Sequence, residues 1–494
     1  MNSTRMTWAS AIGWLTLGIA SSAAHAGPLT PTLRWAWTSS TVLPDYLNVM
    51  NTPSVMDLDG DKKPEVIFGA TNSTGGGLVE VGVLRALSGS TGAEVFTVTD
   101  SNYRIDTTAS VATGDIDGDG KPDIVAVDAS GSRLIAFNGD GTYKWRSGQL
   151  EAINWGAPAI ADLNGDGKAK IVIGRQVVDG ATGALLWTGT AGNGSGGGVG
   201  PLSLVSDMNG DGKLDVVAGN TIYNGNGTIQ AQNANLPDGY TAVADFDGDG
   251  KPEVVLVANG QVWLLNADMS VRPGWPRAIP AGGYGGPPTV ADFDGDGKPD
   301  IGVAGASRYA VFKRDGTLMW ASVTQDASSN RTGSSVFDFQ NDGKAEVVYG
   351  DELYLRVYDG STGAVQFQTA KSSCTWYEYP VIADTNADLH ADIVAVANNN
   401  CGYGPERGVY DWSGADWVAT RAVWNEHTYH ITNVGQDGSI PANEQPNWLT
   451  PGLNNFRLNQ YVPGESPIPE PSSVVLIGLA LGALVARSRR PAAR

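Results

Sequence analysis

The stretch DFDGDGKPDI at residues 292 to 301 packs four carboxylates into ten residues, and near copies of it recur along the 494-residue chain. Aligned on their first aspartate, the copies start at Asp57, Asp115, Asp162, Asp207, Asp245, Asp292, Asp338 and Asp384. Numbered from that residue, positions 1, 3, 5 and 9 carry side-chain oxygen, and position 7 can offer a backbone carbonyl. Such a set suits a hard cation: Ca²⁺ takes about six to eight oxygens in flexible geometry, whereas zinc or copper would want His or Cys. The loops hold neither, apart from His390. Carboxylates this close in sequence would repel one another without a cation. Glycine at position 6 permits the sharp turn.

The most regular copies offer Asp115, Asp117, Asp119 and Asp123; Asp245, Asp247, Asp249 and Glu253; and Asp292, Asp294, Asp296 and Asp300. Asp207, Asn209, Asp211 and Asp215 form a fourth set in which Asn supplies neutral oxygen. Others depart from the pattern. Asp57, Asp59, Asp61 and Glu65 have Lys62 at the turn, and Asp338, Gln340, Asp342 and Glu346 carry an amide at position 3. Asp384, Asn386, Asp388 and Asp392 have Ala387 and Leu389 around the turn. Asp162, Asn164 and Asp166 end in Lys170, which removes a ligand and adds a positive charge. An EF-hand is excluded because its twelfth position needs a bidentate Glu, and Ala126 and Val303 stand there.

Short Val/Ile-rich runs flank each loop, such as PTVA before it and IVAVD or VVLVA after it, as buried strands require. About ten residues further on come Gly-centred turns followed by an apolar or aromatic strand, as in FNGDGTYKW, VDGATGALLW and YDGSTGAVQF, a hairpin signature. Each unit therefore holds four strands, and the units recur every 38 to 58 residues. That period predicts an all-β β-propeller of four-stranded blades, in which ring closure removes exposed strand edges. Eight units predict eight blades; seven is the alternative, since the unit at Asp384 is degenerate and that at Asp207 is short. The segment LRWAW, Leu33 to Trp37, precedes the first loop yet reads like the last strand of a blade, so it can complete the final one.

The repeated D-x-D-G-D-G-K-P-D loops between strands resemble the FG-GAP/VCBS repeats also found in integrin alpha chains, over about residues 50 to 420. The resemblance implies one Ca²⁺ per intact loop, on one rim of the propeller.

The ends carry sorting information. Residues 1–26 read as a secretory signal, with Arg5, an apolar run and AHA ending at Ala26. Residues 27–420 form the propeller and 421–465 a C-terminal cap. Residues 466–494 contain Pro469, Glu470 and Pro471, then an apolar run from Val474 to Ala486, then Arg487, Arg489, Arg490 and Arg494. This order resembles the PEP-CTERM sorting signal, which implies transient membrane anchoring and an exosortase-type processing enzyme as partner. Cys374 and Cys401 are the only cysteines, and in an oxidising compartment they favour one disulfide over free buried thiols.

Composition narrows the function classes. A net charge of −20 opposes nucleic-acid binding, and more than half of the chain's 52 acidic residues stand in the loops. No nucleophile elbow or phosphate-binding loop is present. His427 and His430 lack zinc-protease spacing and read as part of a packed cap. Trp145, Trp187 and Trp320 fall on equivalent strands and read as core, while Trp155 and Trp376 precede first strands, nearer a rim. The expectation is an exported, calcium-binding, non-enzymatic adhesion or binding module at the cell surface or in the extracellular matrix, meeting polysaccharide or protein. The alternatives are a lyase-like polysaccharide enzyme on the same scaffold, or a structural matrix protein without specific ligand.

Overall fold

The computed structural model describes residues 29–73, 77–197, 199–374 and 376–460. The signal segment and the sorting motif lie outside them. Eight four-stranded antiparallel sheets form eight blades, so the seven-bladed alternative is excluded. Their first strands are Ser54–Met56, Ala112–Gly114, Ala159–Ala161, Leu204–Ser206, Tyr240–Ala244, Thr289–Ala291, Ser335–Phe337 and Val381–Ala383. Helix is confined to three short 3₁₀ turns among the described residues, and no helix there is long and apolar enough to cross a membrane.

Inner strands are apolar on both faces because each blade is sandwiched between two others. Asp123–Val127 (DIVAV), Asp300–Ala304 and Asp392–Ala397 are buried at every position. Each fully buried Val, Ile or Leu contributes about 1.5–3 kcal/mol relative to exposure. Fourth strands face solvent and read differently: Leu185–Thr188 (LLWT) is largely exposed.

Adjacent blades are joined by a repeated contact. An aromatic residue on the fourth strand lies over the hairpin glycine of the next blade: Phe96 over Gly141, Trp145 over Gly183, Trp187 over Gly227, Trp320 over Gly363. A Cβ at Gly363, which has φ +70°, would sit 2.4 Å from the Trp320 ring. The tryptophans also donate Nε1–H across the interface, Trp145 to Gly180 O at 2.8 Å and Trp187 to Gly225 O at 3.0 Å.

Ring closure uses the same device. The first strand in the chain, Thr32–Trp37, pairs antiparallel with Gly408–Ser413 and becomes the outer strand of the eighth blade. Trp35 then lies over Gly92 of the first blade and donates to Gly89 O at 2.7 Å.

The channel is filled by the chain itself. Beyond the eighth blade, residues 421–460 cross the first strands one after another. Trp424 pairs with Val55, Thr113 N–H donates to Asn425 O, and Ile160 N–H donates to Glu426 Oε2. Phe456 pairs with Val290, Arg457 Nη1 donates to Pro288 O and Thr241 O, and Asn459 Nδ2 donates to Ile382 O. His427 and His430 belong to this plug: His427 Nε2 meets Tyr377 O at 3.1 Å, and His430 Nε2 meets Glu444 at 2.7 Å. Neither belongs to a group of three or more metal-ligating side chains among the described residues. A disulfide joins Cys374 and Cys401, with Cα atoms 5.1 Å apart.

Candidate metal centres on one rim

The eight acidic loops join first to second strands, so all open on the same rim. One hydrogen-bond pattern builds their turns. In the sixth blade Asp292 Oδ1 accepts from Gly295 N and Asp296 N at 2.8 and 3.1 Å, and Oδ2 accepts from Gly297 N at 2.7 Å. In the other seven loops Oδ2 likewise accepts from position 6, while Oδ1 accepts from position 4 in those of Asp57, Asp115, Asp162, Asp207 and Asp245 and from position 5 in those of Asp338 and Asp384. Position 5 accepts from the N–H of position 7 in every loop, as Asp296 does from Lys298 at 3.0 Å and Asp388 from His390 at 2.8 Å.

This turn needs left-handed backbone at two positions. Position 6 is one of them, and position 4 is the other, a requirement that the sequence pattern alone does not single out: Gly118, Gly165, Gly248 and Gly295 all have positive φ. The atypical loops keep the shape with a strained backbone. Lys62 (φ +69°), Asn341 (+51°), Ala387 (+61°) and Leu389 (+70°) occupy the same region without being glycine.

Position 9 enters from inside the sheet. Its carboxylate is buried and accepts the N–H of position 2: Leu58 N to Glu65 at 3.0 Å, Phe246 N to Glu253 at 2.8 Å, Phe339 N to Glu346 at 3.1 Å, Thr385 N to Asp392 at 3.0 Å. Asp300 differs, because its buried Oδ2 meets no hydrogen-bond donor among the described residues. Burial, above all else, lifts these groups: Glu65, Asp215, Glu253 and Asp300 to about 7, Asp123 and Asp392 to about 6, and Glu346 to about 9.

Oxygens converge within 4.8 Å of one another in four loops. Positions 1, 3 and 9 meet as Asp115, Asp117 and Asp123; Asp245, Asp247 and Glu253; and Asp292, Asp294 and Asp300. Asp57, Asp59 and Asp61 meet in the first loop, leaving Glu65 outside. Asp119, Asp249 and Asp296 stand outside their triads, their Oδ1 turned to the backbone. Where position 3 is an amide, in the loops of Asp162, Asp207, Asp338 and Asp384, no group of three acidic side chains forms among the described residues. The donor set is all oxygen, and Asp300 Oδ2 is a buried anion site without a partner; both fit a hard cation.

Basic side chains from other segments reach several loops, and local sequence patterning does not announce them. Lys144 Nζ lies 2.8 Å from both oxygens of Asp123 and contacts Asp117. Arg272 bridges Asp247 and Glu253 at 2.7 and 2.6 Å, and Lys313 contacts Asp294. In the eighth blade Arg34, beside Trp35 on the N-terminal strand, lies 3.4 Å from Asp392 and 3.1 Å from Asp411. The one available signal is position: Lys144 and Arg34 each precede the staple tryptophan of their blade.

On the opposite rim, where fourth strands lead into first strands, aromatic residues close the channel mouth. Trp155 packs at a tilt against Trp376 with centroids 4.4 Å apart, and Tyr240 OH hydrogen-bonds Tyr377 OH. Trp155 is fully buried and Trp376 half-buried. The Arg331 guanidinium lies 4.3 Å from the Tyr284 ring and 5.4 Å from Trp376. A cavity of about 460 Å³ opens beside them, lined by Asn154, Arg175, Asn193, Asp238, Asn259 and Tyr284 among others.

Fold and loops together define an eight-bladed β-propeller built on FG-GAP-type repeats. The FG-GAP-like repeat is matched at residues 57–126, 115–173, 207–256 and 245–303, and the PEP-CTERM protein-sorting motif at 467–490. The chain thus carries FG-GAP-like repeats in four places on an eight-bladed propeller and a C-terminal PEP-CTERM motif, which implies export, cell-surface display and processing by an exosortase-type enzyme. No curated protein matches it in sequence. Among solved structures it is similar to the Vibrio cholerae biofilm matrix protein Bap1, with TM-score 0.76 and 23% identity over 88% of this chain and 99% of that one. It is also similar to the Bacillus licheniformis rhamnogalacturonan lyase PL11, with TM-score 0.56 and 18% identity over 88% and 84%. The rhamnogalacturonan lyase YesW gives 0.55 and 16% over 90% and 84%. At these identities the likeness is one of fold.

Proposed function

We propose that this protein is a calcium-binding propeller that acts without catalysis, as an adhesion or binding module at the cell surface or in the extracellular matrix. The observation that carries the reading is the convergence of positions 1, 3 and 9 in the loops of Asp115, Asp245 and Asp292. There a buried carboxylate from the sheet meets two from the turn. A divalent cation at that point neutralises charges that burial otherwise disfavours, and ties the turn to the second strand. Calcium is structural in this reading, and Asp57, Asp207, Asp338 and Asp384 head loops of the same design.

The binding role rests on export and on the division of the surface. The plug of residues 421–460 covers the channel from the acidic rim, which leaves the aromatic rim to face a partner, polysaccharide or protein. The charged groups in its cavity are already engaged: Arg175 pairs with Glu151 at 2.9 Å, and Asp238 accepts from Asn193 N, Gly194 N and Ser195 N at 3.0–3.1 Å. That supports recognition over acid–base chemistry. Bap1, similar in fold, is a biofilm matrix protein, which agrees with this assignment. The rhamnogalacturonan lyases of similar fold stand for its competitor, catalysis on a polysaccharide.

The test is a panel of acidic and neutral polysaccharides incubated with the exported protein, read both for retention and for new unsaturated chain ends. Retention without new ends is expected. Turnover would overturn the non-catalytic reading, and neither retention nor turnover would favour a purely structural role.

A further inference from the structure

The third blade breaks the rule of the other seven, and its loop shows how. Its turn is the common one: Asp162 Oδ1 accepts from Gly165 N at 3.0 Å and Oδ2 from Gly167 N at 2.6 Å. Position 9, an acid everywhere else, is Lys170, which starts the strand Lys170–Ile173 and is 8% exposed. Its stem is fixed in the sheet, so its ammonium can only turn into the loop or away from it. It turns in. Nζ donates to Asn164 Oδ1 at 2.9 Å, Asp166 Oδ1 at 2.7 Å and the carbonyl oxygen of Lys168 at 2.7 Å, with Asp162 Oδ1 at 3.7 Å.

Those atoms belong to positions 3, 5, 7 and 1, the set that a bound cation would draw on in an intact loop. An ammonium has three donors and finds three acceptors here. The other basic residues near loops behave differently: Lys144 arrives from the fourth strand of its blade and Arg272 from the connection leading to one, and both touch only positions 3 and 9. We propose that the Lys170 ammonium is the resident cation of the third loop, so that this blade is closed by a tethered charge and takes no divalent ion. The loop is a metal-independent member of a metal-dependent ring.

This inference rests on the calcium reading of the other loops, and the test separates the two. Bound calcium is counted by native mass spectrometry on the exported chain and on four variants, with melting temperatures in calcium and in EGTA. Asp296→Asn, at position 5 of the sixth loop, is expected to weaken binding there, whereas Asp166→Asn, at position 5 of the third, is expected to leave the count unchanged. Lys170→Glu restores the usual acid and is expected to add one ion per chain. The Lys170 side chain borders a cavity of about 380 Å³, which gives the replacement room. Lys170→Met is expected to lower the melting temperature by about 2–4 °C, equally in calcium and in EGTA. Loss of one ion in Asp166→Asn, or an unchanged melting temperature in Lys170→Met, would overturn the inference. A wild-type chain that binds no calcium would instead overturn the reading of the other loops, and the lowered melting temperature of Lys170→Met would still report the tethered charge.

Discussion

The third and sixth loops share a backbone and differ in the sign of one side chain. In both, the first aspartate gathers the N–H groups of positions 4 and 6, Gly165 and Gly167 in one and Gly295 and Gly297 in the other. In the sixth, Asp300 comes up from the sheet with a buried, unpartnered oxygen. In the third, Lys170 comes up from the same place and satisfies three oxygens. The turn is therefore made by position 1 and the two left-handed positions, and the demand for a cation is made by position 9. Shape and charge are set by different residues.

The largest effect expected from this division is that of chelation. Removing calcium leaves the Asp115, Asp245 and Asp292 triads screened only by Lys144, Arg272 and Lys313, so EGTA should lower the melting temperature of the whole ring by several degrees, on the scale of about 1 °C per kcal/mol for a chain of this length. Equal melting in EGTA and calcium would erase the distinction between the two loops.

Next in size is the loss of position 1. Asp292→Ala removes the acceptor for three N–H groups and one vertex of the triad, and should cost about 2–3 kcal/mol in calcium. In EGTA the cost should shrink, because the neighbouring carboxylates then lose a repulsive partner. Asp162→Ala should cost about 2 kcal/mol in either buffer, since its loop carries its own ammonium. Denaturant titrations in both buffers measure the four values. A calcium-dependent cost for Asp162→Ala would break the comparison.

A pH series in EGTA sharpens it further. Burial raises the position-9 carboxyls of the first, fourth, fifth and sixth loops to about 7, above the value of about 4 that they have when unfolded. The native state then holds the extra protons, so stability present below pH 4 is lost as the pH rises through 7. Melting in EGTA should fall from about pH 5 to about pH 8. In calcium the trend should weaken or reverse, because the ion binds the ionised form. The third loop has no acid at position 9 and does not contribute.

The smallest effect concerns the turn alone. Leu389 holds φ +70° where the regular loops have glycine, a conformation that costs a side-chain-bearing residue about 1 kcal/mol. Leu389→Gly should stabilise by roughly that amount with or without calcium, as read by denaturant midpoint. A calcium-dependent gain would mean that shape and charge are not separable after all.

Much of this was legible in the sequence because it is local and repeated. The loop, the two short strands around it and the glycine hairpin lie within one blade, and the period exposes them eight times. Even ring closure showed, since Leu33 to Trp37 carries the fourth-strand pattern ahead of the first loop and does pair with Gly408–Ser413. What stayed hidden is non-local. Lys144, Arg272 and Lys313 reach their loops from other segments of the blade, and Arg34 reaches Asp392 across a separation of 358 residues. The plug could be read as a cap from its aromatic residues, but its path across the first strands depends on backbone groups that carry no sequence signal. At Lys170 the sequence showed a missing ligand; only the fold shows that the ammonium lies among the oxygens the ligand would have joined.

The most direct measurement is a crystal structure of the exported protein grown in calcium, with anomalous differences locating the ions. The expected result is an ion bounded by Asp292, Asp294 and Asp300 in the sixth loop, and in the third only Lys170 Nζ among Asn164, Asp166 and the Lys168 carbonyl. An empty sixth loop, or an ion in the third with Lys170 swung out, would contradict the account.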